Sequence, residues 1–209
     1  MEDEGSWVEG REPSIAVIDY DAGNVASVLK GLRAAGCHAF LTRQANDIAS
    51  VDGVVIPGVG NFEATSYIDQ PLREALLAAA ARKPLLGICL GMQFLYGGSE
   101  EAPKLAGLGL LPGRCRLLRG PVKVPHVGWN TVGMRGTSGL LEGISDGAYF
   151  YFTHSYAAPV DPTTFGATRH GSEFAAIAGD GRHVFGVQFH PEKSGEDGLR
   201  ILRNFVALC

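Results

Sequence analysis

The chain is expected to fold as an α/β domain, with a mostly parallel sheet that is flanked by helices and extended by antiparallel strands. In its first half, short apolar runs alternate with segments whose apolar residues recur at helical spacing. From Gly113 onward, shorter apolar runs are closely separated by turn residues, which is typical of antiparallel strands added at a sheet edge. A length of 209 residues fits one domain with a full core.

The N-terminal segment, residues 1–13, is acidic and polar, and we expect a flexible extension there that leaves residues 14–209 as the domain. It has no apolar centre of the kind found in signal peptides, and no apolar run in the chain approaches the roughly 20 residues of a membrane span. A net charge of -4 and a pI of about 5.8 give no electrostatic reason to expect nucleic acid or an anionic membrane as a partner.

The cysteines also bear on where the protein works. The four of them are widely scattered and form no Cys-x-x-Cys pair, so neither a zinc site nor a disulfide framework is indicated. A reducing cytoplasm is therefore the expected location.

The first predicted elements alternate between strand and helix. Residues 15–18, 39–41 and 53–56 are predicted strands, and apolar residues at helical spacing predict a helix from Val25 to Gly36. A short polar connection through Asp47 separates the second and third strands. Residues 64–82 predict a helix that is interrupted or restarted at Pro71.

A cysteine stands where the next strand is predicted to turn into a helix, within residues 84–95. Cys89 has a glycine two residues away on each side, Gly87 and Gly91. This pattern is typical of a nucleophile elbow, in which a strained turn presents the reactive atom and neighbouring side chains must be small. The N-terminus of the following helix would favour a thiolate. The alternative is an inert core cysteine, which is the commoner role for a lone cysteine.

A histidine follows another predicted strand near the C-terminus, within residues 184–193. His190 could act as the base for the thiol, and Glu192 is close enough in sequence to orient its imidazole. The alternative is a surface His-Pro turn. Together with the elbow glycines, the pattern predicts a catalytic triad of Cys89, His190 and Glu192.

The third strand runs into Pro57-Gly58-Val59-Gly60, at the sheet edge where parallel strands place their ligand crevices. Glycines leave backbone N–H groups accessible, so Gly58, Val59 or Gly60 could supply an oxyanion donor beside the N–H of Leu90. An ordinary strand-end turn is the alternative.

The second half carries the added strands and two aromatic segments. A closing helix is predicted at residues 195–208, with Ser194 and Asp197 as a capping box. Residues 125–130 and 149–156 are rich in aromatic residues and histidine, which suits either an interface or the core. The predicted strands are residues 114–118, 128–132, 148–157, 165–168, 175–178 and 184–189.

Residues 87–93 (Gly-Ile-Cys-Leu-Gly-Met-Gln) with residues 190–192 (His-Pro-Glu) resemble the class I, triad-type glutamine amidotransferases. Within that class the match is nearest to the glutaminase subunits of imidazole glycerol phosphate synthase, from histidine biosynthesis, and it runs from about Ile15 to the C-terminus. The opening motif at residues 19–24 also matches, except that Asp21 stands where glycine is common. The resemblance implies a flavodoxin-like domain.

The resemblance also implies an activity and its residues. Glutamine would be hydrolysed through a thioester on Cys89, with no metal or organic cofactor. Glu101 would meet the α-amino group of glutamine, although a solvated loop charge is the commoner role for such a residue. The residues implied to hold the amino and carboxyl groups of glutamine are Gln93, Glu101, Ser155 and Tyr156.

A partner follows from the same resemblance. Ammonia would pass to a separate cyclase subunit with a (β/α)8 barrel, in a heterodimer whose overall reaction is of the lyase type and yields imidazole glycerol phosphate and an aminoimidazole carboxamide ribotide. The residues implied to border that partner are Trp129, Asn130, Tyr151 and Lys193.

Two alternative functions remain open at this point. The glutaminase partner of another synthase, such as that of pyridoxal phosphate, would share the triad but should lack the combination of residues 128–130 with residues 190–194. A non-catalytic regulatory or binding module would keep the fold alone, and the intact cysteine, histidine and glutamate argue against it.

Overall fold

The structure is a computed structural model that describes residues 11–209, and its central element is a nine-stranded sheet. The strands are β1 (Ser14–Ile18), β2 (His38–Thr42), β3 (Gly53–Ile56), β4 (Leu85–Ile88), β5 (Arg116–Leu117), β6 (His126–Met134), β7 (Ala148–His154), β8 (Tyr156–Ala157), β9 (Thr164–His170), β10 (Ser172–Gly179) and β11 (Val184–Val187). The helices are α1 (Val25–Ala34), α2 (Ala45–Ser50), α3 (Gln70–Ala80), α4 (Leu90–Leu95) and α5 (Gly195–Ala207), with 3-10 turns at Phe62–Tyr67, Gly139–Leu141 and Pro191–Lys193. Within residues 11–209, no helix has the length and apolar character needed to cross a bilayer.

The sheet has a parallel half and an antiparallel half. Its strand order is β2-β1-β3-β4-β11-β10-β9-β6-β7, with β5 and β8 paired in a small separate sheet. Strands β2, β1, β3, β4 and β11 pair in parallel, and every pairing from β11 to β7 is antiparallel. The predicted fold class is confirmed, and β4 and β11 lie side by side in the middle of the sheet.

The core lies on both faces of the sheet because neighbouring strand residues point in opposite directions. On β1, Ile15 and Val17 pack in the cluster that holds buried residues of α1 and α5. Ala16 and Ile18 pack in the other cluster, with buried residues of α2, α3 and α4. This gives a sheet between two helical layers, with all four strand residues buried.

Two predicted elements differ in the structure. The connection through Asp47 is not only polar coil, since it contains α2, whose Ile48 is buried against the sheet. The interrupted helix of residues 64–82 is a 3-10 turn followed by α3, and the side chain of Asp69 accepts a hydrogen bond from the N–H of Leu72 as its N-cap. Pro71 stands in the first turn of α3, where a missing N–H costs nothing.

The capping box predicted at the start of α5 is wrong, because the hydroxyl of Ser194 makes other hydrogen bonds. Ser194 is the N-cap residue but its side chain caps no helix N–H. Instead, Oγ donates to the carbonyl of His190 at 2.6 Å and accepts from the N–H of Tyr151 at 3.0 Å. Ser194 therefore ties the segment after β11 to β7.

The predicted N-terminal extension lies mostly outside the described residues, which begin at Arg11. Arg11 donates to the carboxylate of Asp52 at 2.6 Å, and the carbonyl of Pro13 accepts a hydrogen bond from the N–H of His38. The last residues of the segment thus contact the domain, next to the start of β1.

Helix α4 packs on the central strands through glycines, which explains their spacing around the cysteine. A Cβ at Gly87 would come within 2.6 Å of the backbone of Gly91, and a Cβ at Gly186 on β11 within 2.6 Å of Met92. A Cβ at Gly91 would come within 1.8 Å of the carbonyl oxygen of Ile56 on β3. Because these glycines have no side chains, α4 and the preceding Cys89 can lie close to the sheet.

Gly91→Ala is therefore expected to destabilise the domain by about 3 kcal/mol through overpacking, although alanine is the better helix former. Urea unfolding of both proteins measures this change. Gly133→Ala on β6 is the matched control, because its Cβ would meet only the carbonyl of Ala167 at 3.8 Å. Surface substitutions commonly change the free energy of unfolding by no more than about 0.5 kcal/mol. If Gly91→Ala changes it by so little, the close approach of α4 to β3 does not constrain this position.

Candidate active site

The cysteine lies at the junction of β4 and α4 in a conformation that is unfavourable for its residue type. Cys89 has φ 53° and ψ -106°, one of two positive φ values at non-glycine positions among the described residues. Such a backbone costs about 1–3 kcal/mol and is found mainly at functional sites. Its side chain is buried, and Sγ lies 3.7 Å from the carbonyl oxygen of Thr153 and 3.5 Å from Nε2 of Gln188.

The histidine and the glutamate form a buried pair beyond the end of β11. Nδ1 of His190 lies 2.9 Å from Oε1 of Glu192, and their side chains are 2% and 1% exposed. Because a carboxylate only accepts, the proton of this hydrogen bond belongs on Nδ1. Nε2 of His190 has no hydrogen-bond partner among the described residues and is the nitrogen left for proton transfer.

The electrostatics of the pair favour a charged imidazole. Burial lowers the pKa of His190, but interactions with Cys89 and Glu192 outweigh burial and raise it to about 9. No aligned hydrogen bond joins Sγ of Cys89 to Nε2 of His190, since the thiol is directed at the carbonyl of Thr153 and Nε2 has no partner among the described residues. Catalytic hydrogen bonds commonly tighten only when substrate is bound.

The sheet register brings the nucleophile and the base together. Ile88 pairs with Val187 in the parallel β4–β11 ladder, so the residues that follow each strand emerge at the same edge. The N–H of Cys89 donates to the carbonyl of Val187 at 2.8 Å, and the N–H of His190 to the carbonyl of Tyr151 at 2.9 Å. Main-chain hydrogen bonds to β11 and to β7 thus hold the two backbones in place.

A cavity of about 200 Å³ opens beside the cysteine. It brings together Cys89 after β4, residues of α4, the segment after β3, the loop after α4, the residue before β6, and residues from the end of β7 to the start of β8. Its lining residues are Val59, Gly60, Cys89, Leu90, Gln93, Glu101, Pro125, Thr153, His154, Ser155 and Tyr156. All four residues predicted to hold glutamine therefore line the cavity.

Two of these four side chains are held by hydrogen bonds within the protein. Nε2 of Gln93 donates to the carbonyl of Tyr156 at 2.7 Å, and Oε2 of Glu101 accepts from the N–H of Phe62 at 2.8 Å. Burial raises the pKa of Glu101, against the opposing effect of that backbone hydrogen bond. A cationic group in the cavity would offset the cost of burying this carboxylate.

The segment after β3 presents a carbonyl, rather than an N–H, to the start of α4. The N–H of Leu90 points to the carbonyl oxygen of Gly58 at 3.4 Å. The hydroxyl of Tyr20 donates to the carbonyl of Pro57, and a Cβ at Gly58 would lie 2.2 Å from that hydroxyl. Gly60 has φ 113° with open space around it. One predicted oxyanion donor, Leu90, is thus already occupied.

An aromatic cluster with exposed Trp129 and half-buried Tyr151 lies on the edge strand β7 and its neighbour β6, next to the base. Trp129 pairs with Tyr151 across β6 and β7, with ring centroids 6.2 Å apart, and Nζ of Lys193 lies 5.9 Å from the ring centroid of Tyr151. Trp129 is 55% exposed. These three residues, which the family resemblance implied to border the partner, lie together on one surface.

The side chain of Asn130 lies on the other face of β6 from that surface, and its contact with the partner stays a prediction. Neighbouring residues of β6 point to opposite faces, so the Asn130 side chain lies away from Trp129. Its Nδ2 donates to the carbonyl of Arg169 at 3.1 Å and lies 3.2 Å from Nε2 of His126. Partly buried Asn130 thus contacts an inner polar cluster that begins at His126.

Sequence reasoning missed this inner cluster and also Gln188. Nδ1 of His126 lies 3.1 Å from Nε2 of His154, whose Nδ1 lies 2.9 Å from the carbonyl of Tyr156. Burial lowers the pKa of His126 to about 4 and that of His154 to about 3, so both are neutral at pH 7. The period of two along β6 and β7 could have placed both histidines on the inner face.

The described residues offer no obvious metal site. Within residues 11–209, no group of three or more His, Cys, Asp or Glu side chains is arranged to hold a metal ion, and the four cysteines are free.

The fold and the thiol–imidazole–carboxylate arrangement are those of the class-I glutamine amidotransferases, whose family model matches residues 16–209. Among solved structures, a chain of PurLQS from Thermotoga maritima superposes with a TM-score of 0.73, covering 94% of this chain and 99% of that one. At 18% identity this likeness concerns the fold alone.

Curated relatives give a narrower assignment. The imidazole glycerol phosphate synthase subunit HisH of Natronomonas pharaonis is 48% identical over 208 residues, which cover 95% of this chain and 96% of that protein. Subunit HisH of Thermococcus kodakarensis is 46% identical over 202 residues, covering 93% of this chain and all of that protein. The chain belongs to this family of HisH subunits.

Proposed function

We propose that this chain hydrolyses L-glutamine to glutamate and ammonia, and that it delivers the ammonia to a separate cyclase subunit of imidazole glycerol phosphate synthase. The observation that carries the proposal is the strained Cys89, which lines one small cavity and interacts with the buried His190–Glu192 pair. Membership of the HisH family supports the same role in histidine biosynthesis.

The proposed reaction uses the triad twice. Sγ of Cys89, as thiolate, attacks the side-chain amide carbon of glutamine, and protonated His190 donates its proton to the departing ammonia, which leaves a thioester. His190 then takes a proton from water as that water attacks the thioester. The resulting intermediate expels the thiolate and yields glutamate. Glu192 keeps the proton on Nδ1 and stabilises the imidazolium.

The cavity suits an amino acid as substrate. Its volume of about 200 Å³ is below the roughly 300–1,000 Å³ of pockets that hold drug-sized ligands. Partly buried Glu101 and the Oε1 acceptor of Gln93 would meet the α-ammonium group of glutamine, while Ser155 and Tyr156 would position the α-carboxylate. Pairing would relieve the cost of holding a carboxylate in a partly buried site.

The exposed cluster of Trp129, Tyr151 and Lys193 is the proposed docking surface for the cyclase, with a (β/α)8 barrel as the expected partner fold. Large exposed aromatic side chains with a neighbouring cation are typical anchors of protein interfaces. The surface is coupled to the base, since the backbone of Tyr151 accepts from the N–H of His190 and donates to Ser194. The cytoplasm is the proposed location.

Partner binding is proposed to complete the oxyanion hole. At present the carbonyl of Gly58 occupies the N–H of Leu90, an arrangement that cannot stabilise an oxyanion there. Rotation of the Gly58–Val59 peptide would withdraw this carbonyl and turn the N–H of Val59 toward the same point. The glycines on both sides of Val59 make such a rotation sterically accessible.

Glutamine turnover is therefore expected to rise at least about 10²-fold when the cyclase and its ligand are added, the usual effect of one oxyanion donor. Ammonia release is compared for the chain alone, for the complex and for the complex with acceptor ligand. Trp129→Ala should weaken the stimulation. Leu41→Ala, an exposed apolar residue on the opposite edge strand β2, is the control.

The outcomes separate two parts of the proposal. No ammonia release under any of the three conditions would refute the glutaminase function. Equal turnover in all three would leave the glutaminase function in place and refute gating by the partner.

A further inference from the structure

The residue next to the nucleophile on the neighbouring strand end is a glutamine that the proposed reaction does not use. Gln188 directly follows β11, and its side chain is fully buried. Its backbone is held by the hydrogen bond from its N–H to the carbonyl of Ala176 at 2.9 Å. The β4–β11 register places it beside Cys89, and its Nε2 lies 3.5 Å from Sγ.

The direction of the Gln188 carboxamide is set by the groups on its other side. Nε2 of Gln93 lies 2.7 Å from the carbonyl oxygen of Tyr156 and 3.2 Å from Oε1 of Gln188. A backbone carbonyl can only accept, so the amide nitrogen of Gln93 must face Tyr156. The same NH2 group then donates its second hydrogen to Oε1 of Gln188, which leaves Nε2 directed at the sulfur.

The Tyr156 carbonyl that begins this chain of hydrogen bonds is itself firmly held. Nδ1 of His154 lies 2.9 Å from it and must be the donor, which makes Nε2 of His154 the acceptor from Nδ1 of His126. The inner polar cluster thus supports an orientation that ends at Cys89. In the flipped orientation of the Gln188 amide, its oxygen would face the sulfur and its NH2 would face the NH2 of Gln93. Two donors would then oppose each other, so this orientation is unfavourable.

We propose that Gln188 is a catalytic residue whose side-chain N–H donates a hydrogen bond to the sulfur of Cys89 and stabilises its thiolate. The inference rests on the proposed function, in which Cys89 is the nucleophile. Among the described residues, Gln188 is the one side chain that donates to this sulfur, while the nearby Thr153 carbonyl can only accept.

A donor at this position acts at two points of the reaction. The sulfur is negatively charged before it attacks glutamine, and again when the second intermediate expels it. Hydrogen bonds to charged groups are about twice as strong as those between neutral groups, so the donor favours both states over the thiol and the thioester. Gln93 and the Tyr156 carbonyl act through Gln188 and are positioning groups in this respect.

The test is the pH dependence of Cys89 alkylation by iodoacetamide in Gln188→Met and Gln188→Leu, both close to glutamine in size and both without a hydrogen-bond donor. Without the donor, the alkylation rate at pH 7 should fall about tenfold, the lower end of what a hydrogen bond to a charged group provides, and the midpoint should move to higher pH. In the complex with the cyclase, kcat for glutamine should fall by a similar factor, with little change in KM.

The controls isolate the sulfur contact. Gln70→Met makes the same change on the exposed start of α3 and should leave the alkylation profile unchanged. Alkylation of the Cys89→Ser variant measures the background reaction of the other cysteines. Thermal unfolding of each Gln188 variant shows whether it is folded at the temperature of the assay.

A second measurement needs no variant. In the original protein, the side-chain amide NMR signals of Gln188 should shift through the same pH range as alkylation. An unchanged alkylation profile in a folded Gln188 variant, or amide signals that do not respond to the thiolate, would overturn the inference. Because alkylation needs no glutamine, a shifted profile in a protein without glutaminase activity would instead refute the proposed function alone.

Discussion

Cys89→Ala is expected to remove glutamine-dependent ammonia release almost completely, by a factor on the order of 10⁴ to 10⁶, as for other catalytic nucleophiles. The side chain loses one heavy atom at a turn, so the cavity left behind is small and the fold and partner complex should persist. The measurement is glutamine turnover by the reconstituted synthase, alongside binding of the cyclase.

Ammonia supplied directly should bypass the Cys89→Ala defect, because the acceptor reaction would lie in the partner subunit. Cys37→Ala is the matched control, since Cys37 is also buried but its thiol contacts only the carbonyl of Leu32 in the described hydrogen bonds. Near-normal turnover of glutamine by Cys89→Ala would show that the nucleophile has been misassigned.

His190→Asn should come next in severity, with a loss on the order of 10³ to 10⁶ in kcat, because asparagine can neither accept nor return the proton. Glu192→Gln should retain more activity. It keeps a hydrogen-bond acceptor near Nδ1 but removes the charge that, with Cys89, raises the pKa of His190 above its ordinary value. Single-turnover measurements of ammonia release would compare the two variants.

Groups that act in one chemical step lose activity non-additively. The double variant Cys89→Ala with His190→Asn should therefore be scarcely worse than Cys89→Ala alone. If the two losses instead add in free energy, Cys89 and His190 do not share a step. Leu77→Ala, at a partly exposed position on α3 away from the cavity, should leave both rates unchanged.

Local patterns were sufficient to predict much of this molecule. The elbow around Cys89 is recognisable because its glycines stand at fixed offsets, and the sheet confirms why: α4 approaches β3 too closely for a Cβ at Gly91. The alternation of strand and helix in the first half likewise follows from short-range periodicity. The placement of β11 beside β4 then brings His190 to Cys89.

What sequence reasoning missed depends on contacts between distant segments. Gln188 contacts Cys89 across 99 residues, and only the register of two strands makes them neighbours. The sequence around Ser194 is typical of a helix cap, but its hydroxyl instead donates to the His190 carbonyl and accepts from the Tyr151 N–H. The orientation of the Gly58 carbonyl is a property of one peptide unit, which no residue pattern specifies.

The central pairing of β4 with β11 also constrains how the chain folds. The antiparallel strands β6 to β10 lie between these two in sequence, so the pairing closes a long loop, and contacts of this kind form slowly. The positive φ of Cys89 costs energy that only the packed sheet and α4 offset. A nascent or partly unfolded chain therefore carries an ordinary thiol at position 89, and its reactive geometry arises only once folding is complete.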